Sequence, residues 1–87
     1  MRVPIELFGI ARARAGVAEV TVEAETLRDA LRALELEHPV LAESILRDGD
    51  TSPGWLVSLN GAEFLADPET RLPEGARLLL VSAQAGG

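Results

Sequence analysis

Few residue types in this chain could perform chemistry by themselves. The 87 residues include one histidine, His38, and no cysteine. Without cysteine there are no disulfides, thiolate metal sites or cysteine nucleophiles, and the spacing of a serine–histidine–aspartate triad is absent. His38 directly precedes Pro39, and we interpret it as a residue at the end of a helix. We therefore predict no catalytic residue and no metal site.

The residues with the clearest chemical use are the last two, Gly86 and Gly87. Because glycine has no Cβ atom, such a tip can enter a narrow channel in many backbone conformations. The group delivered there would be the α-carboxylate of Gly87, which is ionised at neutral pH and is a poor acyl donor. It becomes a good donor once an enzyme attaches a leaving group, such as AMP from ATP. We therefore interpret the tail as a substrate that is presented to an enzyme.

Composition indicates one small globular domain. The chain is 47% hydrophobic and carries 14 acidic against 8 basic residues, a net charge of −6. Nucleic acid and anionic membranes attract a cationic surface, so we predict neither as a partner. No apolar run approaches the roughly 20 residues that span a bilayer. Glu6 comes too early for a signal peptide, so we expect a cytoplasmic protein.

The elements that would hold the tail follow from hydrophobic periodicity. Alternating apolar residues predict strands over 2–8 and 17–24, joined by a loop over 9–16. Thr26 is a suitable N-cap for an amphipathic helix over 26–35, which must end before Pro39.

The second half of the chain is predicted to form short strands separated by turns. A second helical turn is predicted over 40–46 and a loop over 47–54. A strand over 55–59 leads through the tight-turn dipeptide Asn60-Gly61 into a short return strand over 62–65. The last strand, over 77–82, is almost entirely apolar.

This order predicts an α+β fold with a mixed sheet of four to five strands and one main helix packed across one face. The first and last strands should lie side by side and parallel at the centre of the sheet. A single helix covers only one face, so the open face is predicted to expose Leu and Val side chains of the last strand to a partner.

Several stretches, in this order, resemble a known family. They are VPIELFGIARARAG at the first hairpin, ETLRDALRAL on the helix, LVSLNG at the third strand, TRLPEGARLLLV before the tail, and the terminal Gly86-Gly87. Together they resemble the MoaD/ThiS family of ubiquitin-like sulfur carrier proteins over nearly the whole chain. The resemblance implies a ubiquitin-like β-grasp domain over 1–82 and a flexible tail over 83–87.

The resemblance also implies a carrier that has no catalytic residues and binds no cofactor. A ubiquitin-activating-like adenylyltransferase would use ATP to adenylate Gly87, while Gly86 and Ala85 thread its channel. A sulfur donor such as a cysteine desulfurase or a rhodanese would convert the adenylate into a thiocarboxylate. A downstream synthase would consume the sulfur. Molybdopterin synthesis is the favoured pathway; thiamine synthesis, cysteine synthesis and tRNA thiolation stay open.

By the same resemblance, Leu78 and Leu80 face the helix, whereas Leu79 and Val81, together with Phe8, form the partner interface. Two other functions stay open. The chain could be a ubiquitin-like modifier that is joined through Gly87 to lysines of other proteins. It could also be a docking domain that binds a partner through its sheet and does not react.

Overall fold

The computed structural model describes residues 1–83. The strands are β1 (Arg2–Leu7), β2 (Glu19–Glu23), β3 (Leu46–Arg47), β4 (Asp50–Thr51), β5 (Trp55–Leu59), β6 (Glu63–Leu65) and β7 (Leu78–Ser82). The helices are α1 (Gly9–Ala15) and α2 (Leu27–Glu37), and a 3-10 helix spans Pro39–Glu43.

Five strands form one mixed sheet in the order β2-β1-β7-β5-β6. The central pair, β1 and β7, is parallel, and each of the other neighbouring pairs is antiparallel. Helix α2 packs across one face, and its buried side chains share one hydrophobic core with those of β1, β2, β5 and β7. The predicted fold, an α+β ubiquitin-like β-grasp with parallel first and last strands, is confirmed.

Helix α2 forms where its capping and periodicity predict. The hydroxyl of Thr26 accepts a hydrogen bond from the backbone N–H of Asp29 at 3.2 Å, which satisfies one free donor of the first turn. Leu27, Leu31 and Leu34 are buried against the sheet. The helix runs two residues beyond the predicted 26–35 and ends before Pro39, because the residue before a proline avoids the helical conformation.

The predicted loop over 9–16 is wrong, because most of this segment is the short helix α1. Between its glycines the sequence is Ile-Ala-Arg-Ala-Arg-Ala, and alanine and arginine both favour helices. Gly16 adopts the left-handed conformation, φ 78°, and its N–H donates to the carbonyl of Arg12. This glycine therefore ends a helix in the usual way. Ala11 is buried, which ties α1 to the core.

The predicted loop over 47–54 is also wrong in part, because Arg47 of β3 and the whole of β4 pair in a small two-stranded ribbon, β3–β4. Asp48 and Gly49 form its turn with φ of 51° and 75°, a conformation that suits aspartate followed by glycine. A Cβ atom on Gly49 would lie 2.6 Å from Cγ of Arg28, so the ribbon can approach α2 this closely only with glycine at its tip.

The helical turn predicted over 40–46 is shorter and begins earlier, as the 3-10 helix Pro39–Glu43. Proline at its start supplies a favourable φ and lacks an N–H that would need a partner. Leu41, Ile45 and Leu46 are buried, and Val40 is half-buried against the core. Within residues 1–83, no helix is long and apolar enough to cross a membrane.

Candidate partner-binding face and carboxyl end

Alternation along β7 divides its side chains between the two faces of the sheet. Leu78 and Leu80 are 0% exposed beneath α2. Leu79 and Val81 are half-buried, because they lie on the face that α2 leaves open. This is the arrangement that the interface hypothesis requires; a binding role for Leu79 and Val81 stays a prediction.

Two exposed apolar residues of neighbouring strands extend this region. Leu56 of β5 pairs with Val81, and Ser58 pairs both with Leu79 and with Phe64 of β6. Leu56 is 37% exposed and Phe64 63% exposed, whereas Ser58 is buried between its two apolar partners. We call this set the apolar patch; its members are Leu56, Phe64, Leu79 and Val81.

Sequence reasoning missed both Leu56 and Phe64. A signal for Leu56 was present in the sequence. Val57 and Leu59 are recognisable as core-facing residues, so the alternation of side chains along the strand places Leu56 on the opposite face. The face of Phe64 depends on the pairing register of β6, which the local sequence does not determine.

Phe8, the third predicted interface residue, lies directly after β1 at the start of α1 and is 39% exposed. In the parallel pair, Leu7 lies opposite Leu80. The end of β1 is therefore at the same edge of the sheet as the end of β7. Because the backbone of Phe8 is still extended, the same register continued by one residue brings Phe8 beside Val81, close to where the chain leaves the sheet.

Charged residues form a border on the other half of the open face. One row of paired residues crosses the sheet from β2 to β6; its members are Glu19, Glu6, Leu79, Ser58 and Phe64. Carboxylates lie at one end of this row and apolar side chains lie toward the other. The guanidinium of Arg77 donates to Glu6 at 2.8 Å and also pairs with Glu19. The hydrogen bond to Glu19, with help from Glu6, raises the pKa of Arg77 above its ordinary value. This ion-pair cluster was not predicted, because it joins β1, β2 and the residue directly before β7, which are far apart in the chain.

The predicted reacting group, the carboxylate of Gly87, and the threading residues Gly86 and Ala85 lie outside the described residues. Of the predicted tail over 83–87, the structure describes Ala83 alone. The N–H of Ala83 donates to the carbonyl of Gly54 at 2.8 Å. The chain therefore leaves the domain at the edge of the sheet formed by the end of β7 and the start of β5.

His38 caps the end of α2, with its Nε2 3.8 Å from the carboxylate of Glu37. Residues 1–83 contain no group of three or more histidine, aspartate or glutamate side chains that could hold a metal ion.

Solved structures provide relatives of this fold. Small archaeal modifier protein 1 from Haloferax volcanii aligns with a TM-score of 0.82 at 28% identity, covering 100% of this chain and 100% of that chain. Small archaeal modifier protein 1 from Methanosarcina acetivorans aligns with a TM-score of 0.82 at 25% identity, covering 99% and 96%. One chain in the structure of a complex of subunits 1 and 2 of molybdopterin-converting factor from Helicobacter pylori aligns with a TM-score of 0.67 at 23% identity, covering 100% of this chain and 100% of that chain.

Comparison with models of protein families gives no match, and comparison with curated proteins gives none either. The structural relatives therefore carry the classification. The chain has the ubiquitin-like β-grasp fold. Its resemblance to the MoaD/ThiS family of ubiquitin-like proteins, inferred from the sequence, is confirmed.

Proposed function

We propose that this protein is a sulfur carrier that acts as a co-substrate for other enzymes. The carboxylate of Gly87 attacks the α-phosphorus of ATP on an adenylyltransferase, and pyrophosphate leaves. The terminal sulfur of a persulfide on a sulfur donor, such as a cysteine desulfurase or a rhodanese, then attacks the acyl carbon, and AMP leaves. A thiol reductant cleaves the S–S bond of the resulting acyl disulfide and so releases the thiocarboxylate, which serves a downstream synthase.

The observation that carries this proposal is the position of the chain exit relative to the apolar patch. Val81 of the patch is two residues from Ala83, which is hydrogen-bonded at the sheet edge. A partner that covers the patch therefore meets the tail as well. Four further residues reach at most about 14 Å when fully extended. The ATP of the partner must then lie within that distance of this edge, which a partner bound on the open face can satisfy.

The proposal extends to pathway and setting. Following the family resemblance, we propose molybdopterin synthesis as the pathway, with thiamine synthesis, cysteine synthesis and tRNA thiolation as alternatives. ATP would be bound by the activating partner and not by this chain. The proposed chemistry is that of the cytoplasm, where ATP and the sulfur-donating enzymes operate.

A second candidate function is protein modification. Two structural relatives are named small archaeal modifier protein 1. In this reading the activated Gly87 is transferred to a lysine amine of another protein, so activation is the same and only the acceptor differs. This chain contains no lysine, so it could not form lysine-linked chains of itself.

The test uses Gly86→Val and a chain lacking Gly87. Both should strongly reduce ATP–pyrophosphate exchange by the cognate adenylyltransferase. Valine must fit a channel that suits glycine, and the truncation moves the carboxylate back by about 3.3–3.6 Å. Reacting atoms must approach to about 3–3.5 Å, so a shift of this size is enough to stop the reaction.

Ala62→Val is the matched control and should support normal exchange, because Ala62 is exposed in the turn between β5 and β6, at the end of the sheet away from Ala83. Intact-mass measurement on protein from its own cells separates the candidates. Replacement of one oxygen by sulfur supports the carrier, and branched peptides on lysines support the modifier. Normal exchange and normal sulfur loading by the truncated chain would overturn both the carrier and the modifier function. The remaining function would then be that of a docking domain that does not react.

A further inference from the structure

The centre of the apolar patch is occupied by a polar residue. Ser58 of β5 pairs with Leu79 on one neighbouring strand and with Phe64 on the other. Leu56 lies two residues earlier on β5 and therefore on the same face. Residues directly opposite each other on neighbouring antiparallel strands have Cβ atoms about 5 Å apart. Larger apolar side chains thus surround the short serine on three sides, and we call the resulting depression the Ser58 notch.

The side chain of Ser58 points to the open face of the sheet. Its chain neighbours Val57 and Leu59 belong to the core on the covered face, and successive side chains of a strand alternate between faces. Ser58 is nevertheless only 7% exposed, whereas Phe64 beside it is 63% exposed. The cover over Ser58 therefore comes from the taller patch side chains, and its hydroxyl lies at the floor of the notch.

The hydroxyl of Ser58 makes no hydrogen bond within residues 1–83, yet it is open to solvent. In that part of the chain, the one side-chain polar atom that is both unpaired and wholly shielded from solvent belongs to Glu35. The hydroxyl of Ser58 is unpaired as well, so it must be accessible. A serine hydroxyl donates one hydrogen bond and has two acceptor lone pairs. Its full hydrogen-bonding capacity is thus available to a molecule that covers the patch.

Binding of the activating partner would remove solvent from this hydroxyl. In the proposed function the adenylyltransferase covers the apolar patch and, with it, the Ser58 notch. A hydroxyl that loses its contact with water and finds no other partner opposes binding. A partner that places a hydrogen-bonding group in the notch replaces that contact and fills the space between Leu79 and Phe64. The notch therefore discriminates against a partner surface that is apolar throughout.

We propose that Ser58 determines which partner the apolar patch accepts, by forming a hydrogen bond with a hydroxyl or amide group that the adenylyltransferase inserts into the Ser58 notch. This inference rests on the proposed function and adds a feature of the partner. The surface that covers the patch is apolar but carries one short, uncharged side chain with a polar tip, such as threonine or asparagine. A charged tip is disfavoured, because it would lose its hydration between apolar walls.

The experiment measures the Kd of the full chain for the cognate adenylyltransferase by titration calorimetry without ATP. Without ATP no chemistry occurs at Gly87, so the Kd reports recognition alone. Ser58→Ala removes the hydroxyl and leaves the notch open. We expect its Kd to rise about fivefold, the size of one hydrogen bond. Against a partner surface that is apolar at this point, the same substitution would lower the Kd, because no hydroxyl would then be desolvated.

A matched pair of variants isolates the hydroxyl from the shape of the notch. Ser58→Thr and Ser58→Val add side chains of nearly equal shape, and both residue types favour strands. They differ in a hydroxyl against a methyl group, so Ser58→Thr should bind about fivefold more tightly than Ser58→Val. Thr21→Ala is the control, since it removes a hydroxyl from β2, on the open face outside the patch, and should bind as the parent does. Each variant should keep a Tm close to the parental value, measured on the same sample.

Two results would overturn the role of Ser58. They are a Kd for Ser58→Ala that equals or falls below that of the parent, and equal Kd values for Ser58→Thr and Ser58→Val. A parent that does not bind the adenylyltransferase would refute the proposed function and this inference together. Normal exchange by the chain lacking Gly87 would refute the proposed function while the differences in Kd persist. A failure of the carrier function and a failure of the Ser58 notch are therefore distinguishable.

Discussion

Neighbouring leucines on β7 have opposite surroundings. Leu78 and Leu80 are fully buried between the sheet and α2, whereas Leu79, between them in the chain, is half-buried on the open face. The residue type is the same, and the positions differ by one Cα along the strand. Because successive side chains of a strand point to opposite faces, a single β-strand supplies both the core and the candidate interface. Substitutions at alternate positions should therefore affect different properties.

The same contrast holds across the sheet. On the covered face, Ile5, Val57 and Leu80 belong to one continuous core. On the open face, the apolar patch borders on the cluster of Arg77 with Glu6 and Glu19. Apolar area that stays exposed in this way contributes little to stability and is available to a partner. One face of the sheet therefore supplies the core, and the opposite face carries the apolar area that we predict to bind a partner.

The largest expected effect is on the covered face. Leu80→Ala removes a fully buried side chain and should lower the free energy of unfolding by about 2–5 kcal/mol. Small domains have only about 5–15 kcal/mol in total, so this is a large fraction. Urea denaturation measures it, with Leu79→Ala as the matched control. Equal losses for the two variants would show that the faces do not differ in their contribution to stability.

Next in size is the effect of a charge on the open face. Leu79→Asp should leave the domain folded but raise the KM for the carrier in ATP–pyrophosphate exchange by about tenfold or more, because a desolvated carboxylate would face an apolar partner surface. Exchange kinetics and thermal denaturation are measured on the same sample. Loss of folding without any separate effect on binding would contradict the assignment of Leu79 to recognition.

A smaller effect is expected at Phe64, which extends the apolar patch. Phe64→Ala should raise the same KM about fivefold, since aromatic residues at interfaces contribute more than their neighbours. Its Tm should stay close to that of the parent. Leu36→Ala removes another exposed apolar side chain, one on α2 and therefore away from the open face, and should leave KM unchanged. Similar KM values for both variants would remove Phe64 from the interface.

The smallest effect is expected at the charged border. Arg77→Gln should lower the Tm only slightly, because exposed ion pairs contribute little to stability. Added salt should reduce the difference from the parent, since exposed charges are screened. Thermal denaturation at low and high salt measures both. A difference in Tm that grows with salt would mean that Arg77 acts through packing and not through its ion pairs with Glu6 and Glu19.

Much of the fold could be predicted because its signals are local. Thr26 and Pro39 mark the limits of α2, alternating apolar residues mark β1 and β2, and short apolar runs mark β5 and β7. Helix α1 was missed although its signal was also local. The glycines at its ends were interpreted as belonging to a loop, whereas Gly16 ends the helix. The ribbon β3–β4 has only two residue pairs, too few for any periodicity to show.

The candidate site was predicted only in part, because only some of its residues have a local signal in the sequence. Leu79 and Val81 follow from alternation along one strand once the family resemblance supplies the covered face. The pairing of Arg77 with Glu6 and Glu19 joins residues that are far apart in the chain, so no local pattern contains it.

In the hairpin between β5 and β6, the turn depends on two adjacent residues, whereas the pairing register depends on contacts elsewhere in the fold. Asn60-Gly61 determines the tight turn, and both residues have positive φ, at 57° and 70°. If those two residues alone formed the loop, Phe64 would lie opposite Val57 and face the core. Instead Phe64 pairs with Ser58, one residue further along, and faces the open side.

The register follows from contacts beyond the hairpin. The N–H of Asn60 donates to the carbonyl of Arg77 at 2.8 Å, and its side-chain oxygen accepts from the N–H of Arg77 at 2.9 Å. These bonds attach the turn to the start of β7, while Leu65 packs against the core in place of Phe64. A shift of one residue exchanges the two faces of a strand. The turn was thus encoded in two adjacent residues, whereas the exposure of Phe64 was decided by a strand that comes later in the chain.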